Sequence, residues 1–502
     1  MDNTQAAFLA LVKQVSLVRM NLTLLGWDAR TYLPPAGTDF RGELTASLSA
    51  QELALSAGPQ MGKFVDYFTT HPTELDAQAQ QVLRLVKRDY DLNHDIPAAD
   101  YADYQKTLTH AQQVWETARA AQDFSLLQPD LEKIVAMQKA FIPKWRNGQA
   151  TDYDVLLDQY EPGMTVAQLD PIMDTLKAGI KRIQHQLQTK GVAPRADFMS
   201  RAVPEDLQEQ LVRTVVQRLG YDFTKGDLSR STHPFTVPLD RNDVRITNRY
   251  DVHAFQMSLL GGIHEAGHGL YMQNFNPAYD YTPLADAPSM GLHESQSLFN
   301  EIFLARNPAF WQGEYPRFQQ ATGDIFADID EPTFYRGFMT TKPTLIRTEA
   351  DPLTYPLHIV VRYELEKSLF NGETTVAELP ALWRQKYQDY LGITPANDTE
   401  GILQDIHWPG GDFGYFPTYL LGQLYAAQFM HTMSQQLPVT EILQSGDYHR
   451  ITQWRREQIH WLGASVTPQQ LIQQVTGEPL NPQYWLDWMQ QTFATAYQVT
   501  DK

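Results

Sequence analysis

The sequence predicts a mainly α protein, with helices packed in two lobes about a central groove and a small β-hairpin or sheet near residues 220–250. Three observations lead there. Apolar residues recur at helical spacing through most of the 502 residues. One stretch, 220–250, breaks that texture with Thr, Pro, Gly and alternating apolar residues. No stretch is rich enough in Gly, Ser or charge to serve as a flexible linker, and no repeat or low-complexity tract is present, so residues 1–502 read as a single domain.

Taken in order, residues 4–26 set Phe8, Leu11, Val12, Val15, Val18 and Leu25 near one helical face. Residues 76–92 do the same with Val82, Leu83, Leu85, Val86 and Tyr90. Segments 98–122, 125–145, 165–189, 204–219, 357–370, 417–436 and 481–497 follow the same pattern. Between 220 and 250, Lys225-Gly226 and Arg241-Asn242-Asp243 are turn signals that bound short strands. Asp243 and Arg245 then share one face of a strand and read as a structural ion pair that could line the groove.

Composition narrows the chemistry. A formal net charge of −19 repels nucleic acid and anionic membrane surfaces. It repels acidic substrates too, unless a local basic group intervenes. With no cysteine, disulfides, thiolate nucleophiles and Cys-ligated metals are excluded, and any metal must use His and carboxylate ligands. The N-terminal MDNTQAAFLALVKQ lacks a basic region and a cleavage site, and Arg19 and Asn21 interrupt the apolar run from Val15 to Trp27. We therefore expect no membrane span and a cytoplasmic location.

The segment His264-Glu265-Ala266-Gly267-His268 carries the strongest chemical signal. Positions i and i+4 of a helix lie on one face, so both imidazoles can point at one cation. Glu265, turned by about 100° from His264, can reach a water at that cation without ligating it. Phe255, Leu259, Leu260, Ile263 and Leu270 make the helix a buried one. Gly261, Gly262, Gly267 and Gly269 each cost about 1 kcal/mol against Ala, which suggests a close-packing need. The plain alternative is a helix with two His on a polar face, paired with acids.

A two-His site needs a third protein ligand and an open position. Glu294, in Leu292-His293-Glu294-Ser295-Gln296, follows a Pro-containing loop (Asn276 to Pro288) and starts a helix with Leu298, Phe299, Ile302 and Phe303. A helical hairpin would bring it back across His264 and His268. Asp286, His293 and Glu301 are rivals. Glu301, on the same face as Glu294, reads as a partner that orients a ligand imidazole, or else as an ordinary surface acid.

Further motifs stand in order: His233-Pro234-Phe235, Asp243-Val244-Arg245-Ile246-Thr247, the HEAGH and HESQ segments, Ile346-Arg347-Thr348-Glu349-Ala350-Asp351, and Gly401-Ile402-Leu403-Gln404-Asp405-Ile406-His407-Trp408. With Leu25-Gly26-Trp27-Asp28 and Tyr32-Leu33-Pro34-Pro35, this set resembles the thermostable metallocarboxypeptidases of the carboxypeptidase Taq type over essentially the whole chain. The resemblance implies a single catalytic domain with a deep groove, a homodimer, and release of single amino acids from free peptide C-termini. It implies His264, His268 and Glu294 as metal ligands, Glu265 as general base and Arg347 as the anchor of the substrate carboxylate. The chain departs from the pattern at Pro352, Pro356, Met272 and Ala29.

One divalent ion per chain is expected, zinc ahead of cobalt and manganese. Arg suits carboxylate recognition because its planar fork binds a carboxylate bidentately, although Glu349 and Asp351 could instead neutralise Arg347. Tyr415 and His407 are the candidate donors to the oxyanion, each with a structural alternative. Gly410-Gly411-Asp412-Phe413-Gly414 reads either as a loop that closes on substrate or as a plain turn. The competing functions are an endo-oligopeptidase, an aminopeptidase and a non-catalytic metal-binding scaffold for peptides.

Overall fold

The computed structural model describes residues 3–500. Four helices come first: α1 (Asn3–Thr31), α2 (Thr38–Ser56), α3 (Pro59–Thr70) and α4 (Ala77–His94). Phe8, Leu11, Val12 and Val15 of α1, Met61, Val65 and Phe68 of α3, and Val82 and Leu83 of α4 build a small core separate from the main one. By length and hydropathy alone, Thr4–Thr31 is long and apolar enough to cross a membrane, which corrects the expectation that no segment is. Its apolar side instead packs in this core, and Arg19, one turn beyond Val15 on the same side, pairs with Glu52 and Asp89, each at 2.6 Å.

Helices α5 (Ala98–Ala121), α6 (Gln128–Trp145), α7 (Asp152–Tyr160), α8 (Val166–Lys190) and α9 (Glu205–Arg218) then enter the large core. Most match the expected spans within a few residues. In the 125–145 segment, Phe124–Leu126 forms a 3-10 turn and the α-helix starts at Gln128, where Pro129 occupies the first turn.

The expected β region is a three-stranded sheet of β1 (Leu228–Arg230), β2 (Thr236–Asp240) and β3 (Asp243–Asn248), in the order β1-β3-β2. Strands β2 and β3 form an antiparallel hairpin, with Val237 opposite Arg245, and Asn242 N donates to the Asp240 carboxylate in the turn at 2.6 Å. Strand β1 runs parallel to β3 and follows the Lys225-Gly226 turn. A side chain at Gly226 would stand 2.0 Å from the Val244 carbonyl, so only glycine fits. Val244 and Ile246 are fully buried beneath the next helix, while Arg245 on the opposite face pairs bidentately with Asp243 and covers the Trp27 ring at 4.5 Å.

That next helix is α10 (Phe255–Gln273), followed by α11 (Met290–Leu298), α12 (Pro308–Thr322), α13 (Glu331–Gly337), α14 (Tyr355–Phe370) and α15 (Leu379–Leu391). The chain closes with α16 (Pro417–Gln436), α17 (Val439–Ser445), α18 (His449–Gln458), α19 (Pro468–Thr476) and α20 (Gln483–Ala496). Helices α10, α11 and α16 pack together at the centre and carry the site.

Candidate active site

Helix α10 presents the HEAGH segment where the glycines permit it. A Cβ on Gly267 would lie 2.4 Å from the Gln296 carbonyl oxygen and 2.5 Å from Ser297 Cα, so α10 and α11 meet backbone to backbone. Ser289 caps α11 by accepting from Leu292 N at 3.0 Å. The buried Glu161 carboxylate accepts from Gly291 N at 3.1 Å and from the Tyr425 hydroxyl at 2.7 Å, which anchors the same helix end. Beyond Leu298 the helix widens into a π turn, Phe299–Leu304, a device found mostly at functional sites.

This packing brings together three of the residues singled out in the sequence. One donor atom each from His264, His268 and Glu294 lies within 4.8 Å of the others. Glu294 stands 3.9 Å from His264 Nε2 and 3.3 Å from His268 Nε2. Glu301, on the π turn, sits 2.9 Å from His264 Nδ1 and so leaves Nε2 for the cluster, a place from which a carboxylate can orient the imidazole. Burial alone would lower the His264 pKa, but Glu294, Glu301 and Glu265 outweigh it and raise it to about 10. Glu294 is held down to about 2, its burial outweighed by the two imidazoles. The donor set and the negative potential on His264 Nε2 both fit a divalent cation with two His and one carboxylate.

The rivals fall away. His293 stacks on the His268 ring at 4.2 Å and stands outside the donor cluster. Burial, with His268 beside it, lowers its pKa to about 3. Asp286 lines a different cavity with Arg19 and Val15 of α1.

Glu265 is buried, and one of its carboxylate oxygens accepts from the Thr236 hydroxyl at 2.5 Å. Strand β2 thus fixes the proposed base, a role that no signal in the sequence marked. The cluster lies where two cavities meet. One, ≈ 250 Å³, is lined by Arg347, Tyr355, Tyr419 and Gln423 with His264 and Glu294. The other, ≈ 630 Å³, is lined by Glu265, Arg306, Lys342 and Asp351 among others.

Arg347 is buried but does not pair with Glu349 or Asp351, the neutralising partners considered from sequence. Its Nε and Nη2 donate to Asp405 at 3.0 and 2.8 Å, and Nη1 donates to the Tyr355 hydroxyl at 2.8 Å. Asp351 instead accepts from Leu353 N, Thr354 N and the Thr354 hydroxyl. The fully buried Arg362 holds the other Asp405 oxygen. Pro356 sits in the first turn of α14, where proline is preorganised for a helix, and Pro352 lies with Arg347 on the smaller cavity wall.

His407 does not line either cavity. Its Nε2 meets the Tyr419 hydroxyl at 3.2 Å, and burial lowers its pKa to about 4, leaving it neutral. Tyr415 does not line the cavities either; it packs edge-on against Tyr419 at 5.3 Å, and its phenol is raised by burial and then by the charge of Glu294. Tyr419 and Tyr355 were missed in the sequence because their role depends on cavity position, not on spacing. The 410–414 segment is a firmly held turn. Glu366 accepts from Gly414 N at 2.9 Å and from Trp408 Nε1 at 2.6 Å, and Gln138 donates to the Gly411 carbonyl at 2.6 Å.

Known proteins are similar to this chain over its length. The family described as carboxypeptidase Taq (M32) metallopeptidase matches residues 7–493. Carboxypeptidase 1 of Bacillus subtilis is 42% identical over 491 residues, covering 98% of each chain. Thermostable carboxypeptidase 1 of Thermus thermophilus is 34% identical, over 94% of this chain and 95% of its own. The crystal structure of an M32 carboxypeptidase from Deinococcus radiodurans superposes with a TM-score of 0.95 at 29% identity, over 99% of this chain and 100% of that one. On the strength of that full-length match and the clustered donor set, the chain belongs to the carboxypeptidase Taq (M32) metallopeptidase family.

Proposed function

We propose how this metallocarboxypeptidase divides its work among named residues. His264, His268 and Glu294 hold one divalent ion, zinc ahead of cobalt and manganese because two imidazoles and one carboxylate suit it. When bound, such an ion lowers the pKa of water and polarises the scissile carbonyl. Glu265 takes a proton from the attacking water as oxygen adds to the carbonyl carbon. It then delivers that proton to the departing amine nitrogen as the C–N bond breaks. Thr236 holds the Glu265 carboxylate in place for both transfers.

Tyr415 donates toward the developing oxyanion, with Tyr419 beside it, and neutral His407 orients the Tyr419 hydroxyl. Arg347 anchors the free C-terminal carboxylate of the peptide. Its placement on the wall of the smaller cavity, beside His264 and Glu294, is the observation that carries this reading. Asp405 and Tyr355 use only part of its donor fork.

A homodimer is proposed on the family resemblance and on helix α2, which buries only Ser56 and leaves Phe40 80% exposed, with Leu44 one turn along also exposed. Sedimentation of the intact protein tests it; a monomer at micromolar concentration rules it out.

The function is tested with one peptide in free-acid and C-terminally amidated forms. The free acid is expected to lose residues one at a time from its C-terminus, and the amide to resist. Internal cleavage of the amide would establish an endo-oligopeptidase instead. Glu265→Gln should keep its metal and lose at least about a thousandfold in kcat, since the base is removed while the ligands stay. Arg347→Ala should raise KM for free-acid peptides; an unchanged preference for free acid over amide would refute the anchor.

A further inference from the structure

The ligand assignment leaves one buried cation unexplained. Arg455, on α18, is 1% exposed, lies 155 residues beyond Asn300 and lines neither cavity at the cluster. Among the described residues no carboxylate pairs with it, and burial lowers its pKa to about 9. The hydrogen bonds of its guanidinium go to one short stretch. Nη1 donates to Asn300 Oδ1 at 2.6 Å, and Nη2 donates to the Gln296 carbonyl at 3.0 Å and to Gln296 Oε1 at 3.1 Å. Nε reaches Gln296 Oε1 at 3.3 Å, and the guanidinium covers the Phe299 ring at 4.7 Å. His460 adds a contact to the same Gln296 oxygen at 3.1 Å.

Where that stretch lies gives the cation its meaning. Gln296 is two residues beyond the ligand Glu294, and its carbonyl is the atom against which Gly267 of α10 packs. Asn300 is in the π turn and precedes Glu301, the partner of His264. Arg455 therefore grips the crossing of the two ligand helices and the start of the turn that presents Glu301. A buried guanidinium without an acid is expensive to desolvate, and what it returns lies in the neutral oxygens it holds, each of which would be left unsatisfied without it. Its five donors in a rigid fork are suited to fixing two carbonyl groups and a helix widening at once.

We propose that Arg455 is a positioning residue for the metal centre, setting Glu294 and Glu301 against His264 and His268 without touching the ion. The proposal rests on the ligand assignment above. Its test is the affinity of the metal-free protein for zinc alone, read by competition with a chromophoric chelator, in Arg455→Met and Arg455→Lys, with thermal melting of the metal-free forms. Arg455→Met is expected to stay folded, to melt below the parent because the Gln296 and Asn300 oxygens lose their donor, and to bind zinc at least about tenfold more weakly, the range for partners outside a ligand set. Arg455→Lys, which keeps the charge but not the fork, is expected to recover only part of that loss, and it carries the test if the Met variant does not fold.

Zinc affinity within about twofold of the parent in the folded variants would overturn the proposal. So would an equal loss of affinity in Leu131→Ala, a buried core variant on α6 that lowers the melting temperature of the metal-free protein by as much, which marks a merely structural role. Glu294→Ala, measured alongside, separates the two readings: unchanged affinity there overturns the ligand assignment. Weakened affinity there, with unchanged affinity in the Arg455 variants, overturns the positioning role alone.

Discussion

At the scale of single residues, the Glu265 carboxylate shows what a motif carries and what it omits. The i, i+4 spacing of His264 and His268 and the intervening glutamate were legible because a helix converts spacing directly into a shared face. Thr236 was not, because it reaches Glu265 from a strand 29 residues upstream. Its hydroxyl is the hydrogen-bond donor to the carboxylate at 2.5 Å, and a single bond to a charged group is worth about 1.5–3 kcal/mol. Thr236→Val keeps the shape and removes the donor. We expect kcat to fall about tenfold, equivalent to about 1.4 kcal/mol, with KM little changed. Thr236→Ser should restore most of the rate. Steady-state kinetics on a free-acid peptide decides it; an unchanged kcat in the valine variant would mean that Glu265 is positioned by α10 alone.

At the scale of elements, the glycines of α10 read correctly as marks of close packing, and the structure supplies the partners. Gly267 meets the backbone of α11, Gly262 meets Val212 of α9, and Gly269 meets Tyr221. Gly267→Ala gains helix propensity of about 1 kcal/mol but drives a methyl to within 2.4 Å of a carbonyl that Arg455 already holds, an overpacking cost of about 1–3 kcal/mol. Gly42, in the exposed helix α2, has nothing within 4 Å of a would-be Cβ. Gly42→Ala should therefore raise stability by about 0.5–1 kcal/mol, while Gly267→Ala lowers stability and weakens metal binding. Melting of metal-free and zinc-loaded forms checks both. The same physics explains which elements were legible. Helices with one buried stripe, such as α4 and α9, were found within a few residues. Helix α2 was missed because it buries almost nothing, and α12 because Pro316, a helix-breaking signal in sequence, falls inside a helix whose apolar face is Phe310, Trp311, Tyr315 and Phe318. The hairpin was found because Arg241-Asn242 and alternation mark it locally; the parallel pairing of β1 with β3, set by distant packing, was not.

At the scale of the whole molecule, Asp405 joins three parts of the chain that the sequence shows only as separate motifs. It takes Arg347 from the 346–351 motif and Arg362 from α14, and it sits in the GILQDIHW segment itself. Burial would raise its pKa, but Arg362 and Arg347 outweigh burial and hold it well below the usual carboxylate range. The sign of the linkage follows. A carboxylate depressed in the folded state contributes stability that is fully present above its unfolded pKa of about 3.9 and is lost as pH falls through the lower folded value. Asp405→Asn removes the charge at every pH. At pH 7 it leaves Arg362, 0% exposed, and Arg347 without their shared counter-ion, at a cost of about 3–5 kcal/mol. In strong acid the parent carboxylate begins to protonate as well, so the two proteins should converge. Urea unfolding of parent and variant at a series of pH values from 7 downward measures the gap directly. A gap that is wide at pH 7 and narrows once the pH drops below about 4 places the acid lability of this fold on Asp405; a gap that stays constant over the series would assign the Asn variant's loss to altered hydrogen bonding rather than to charge.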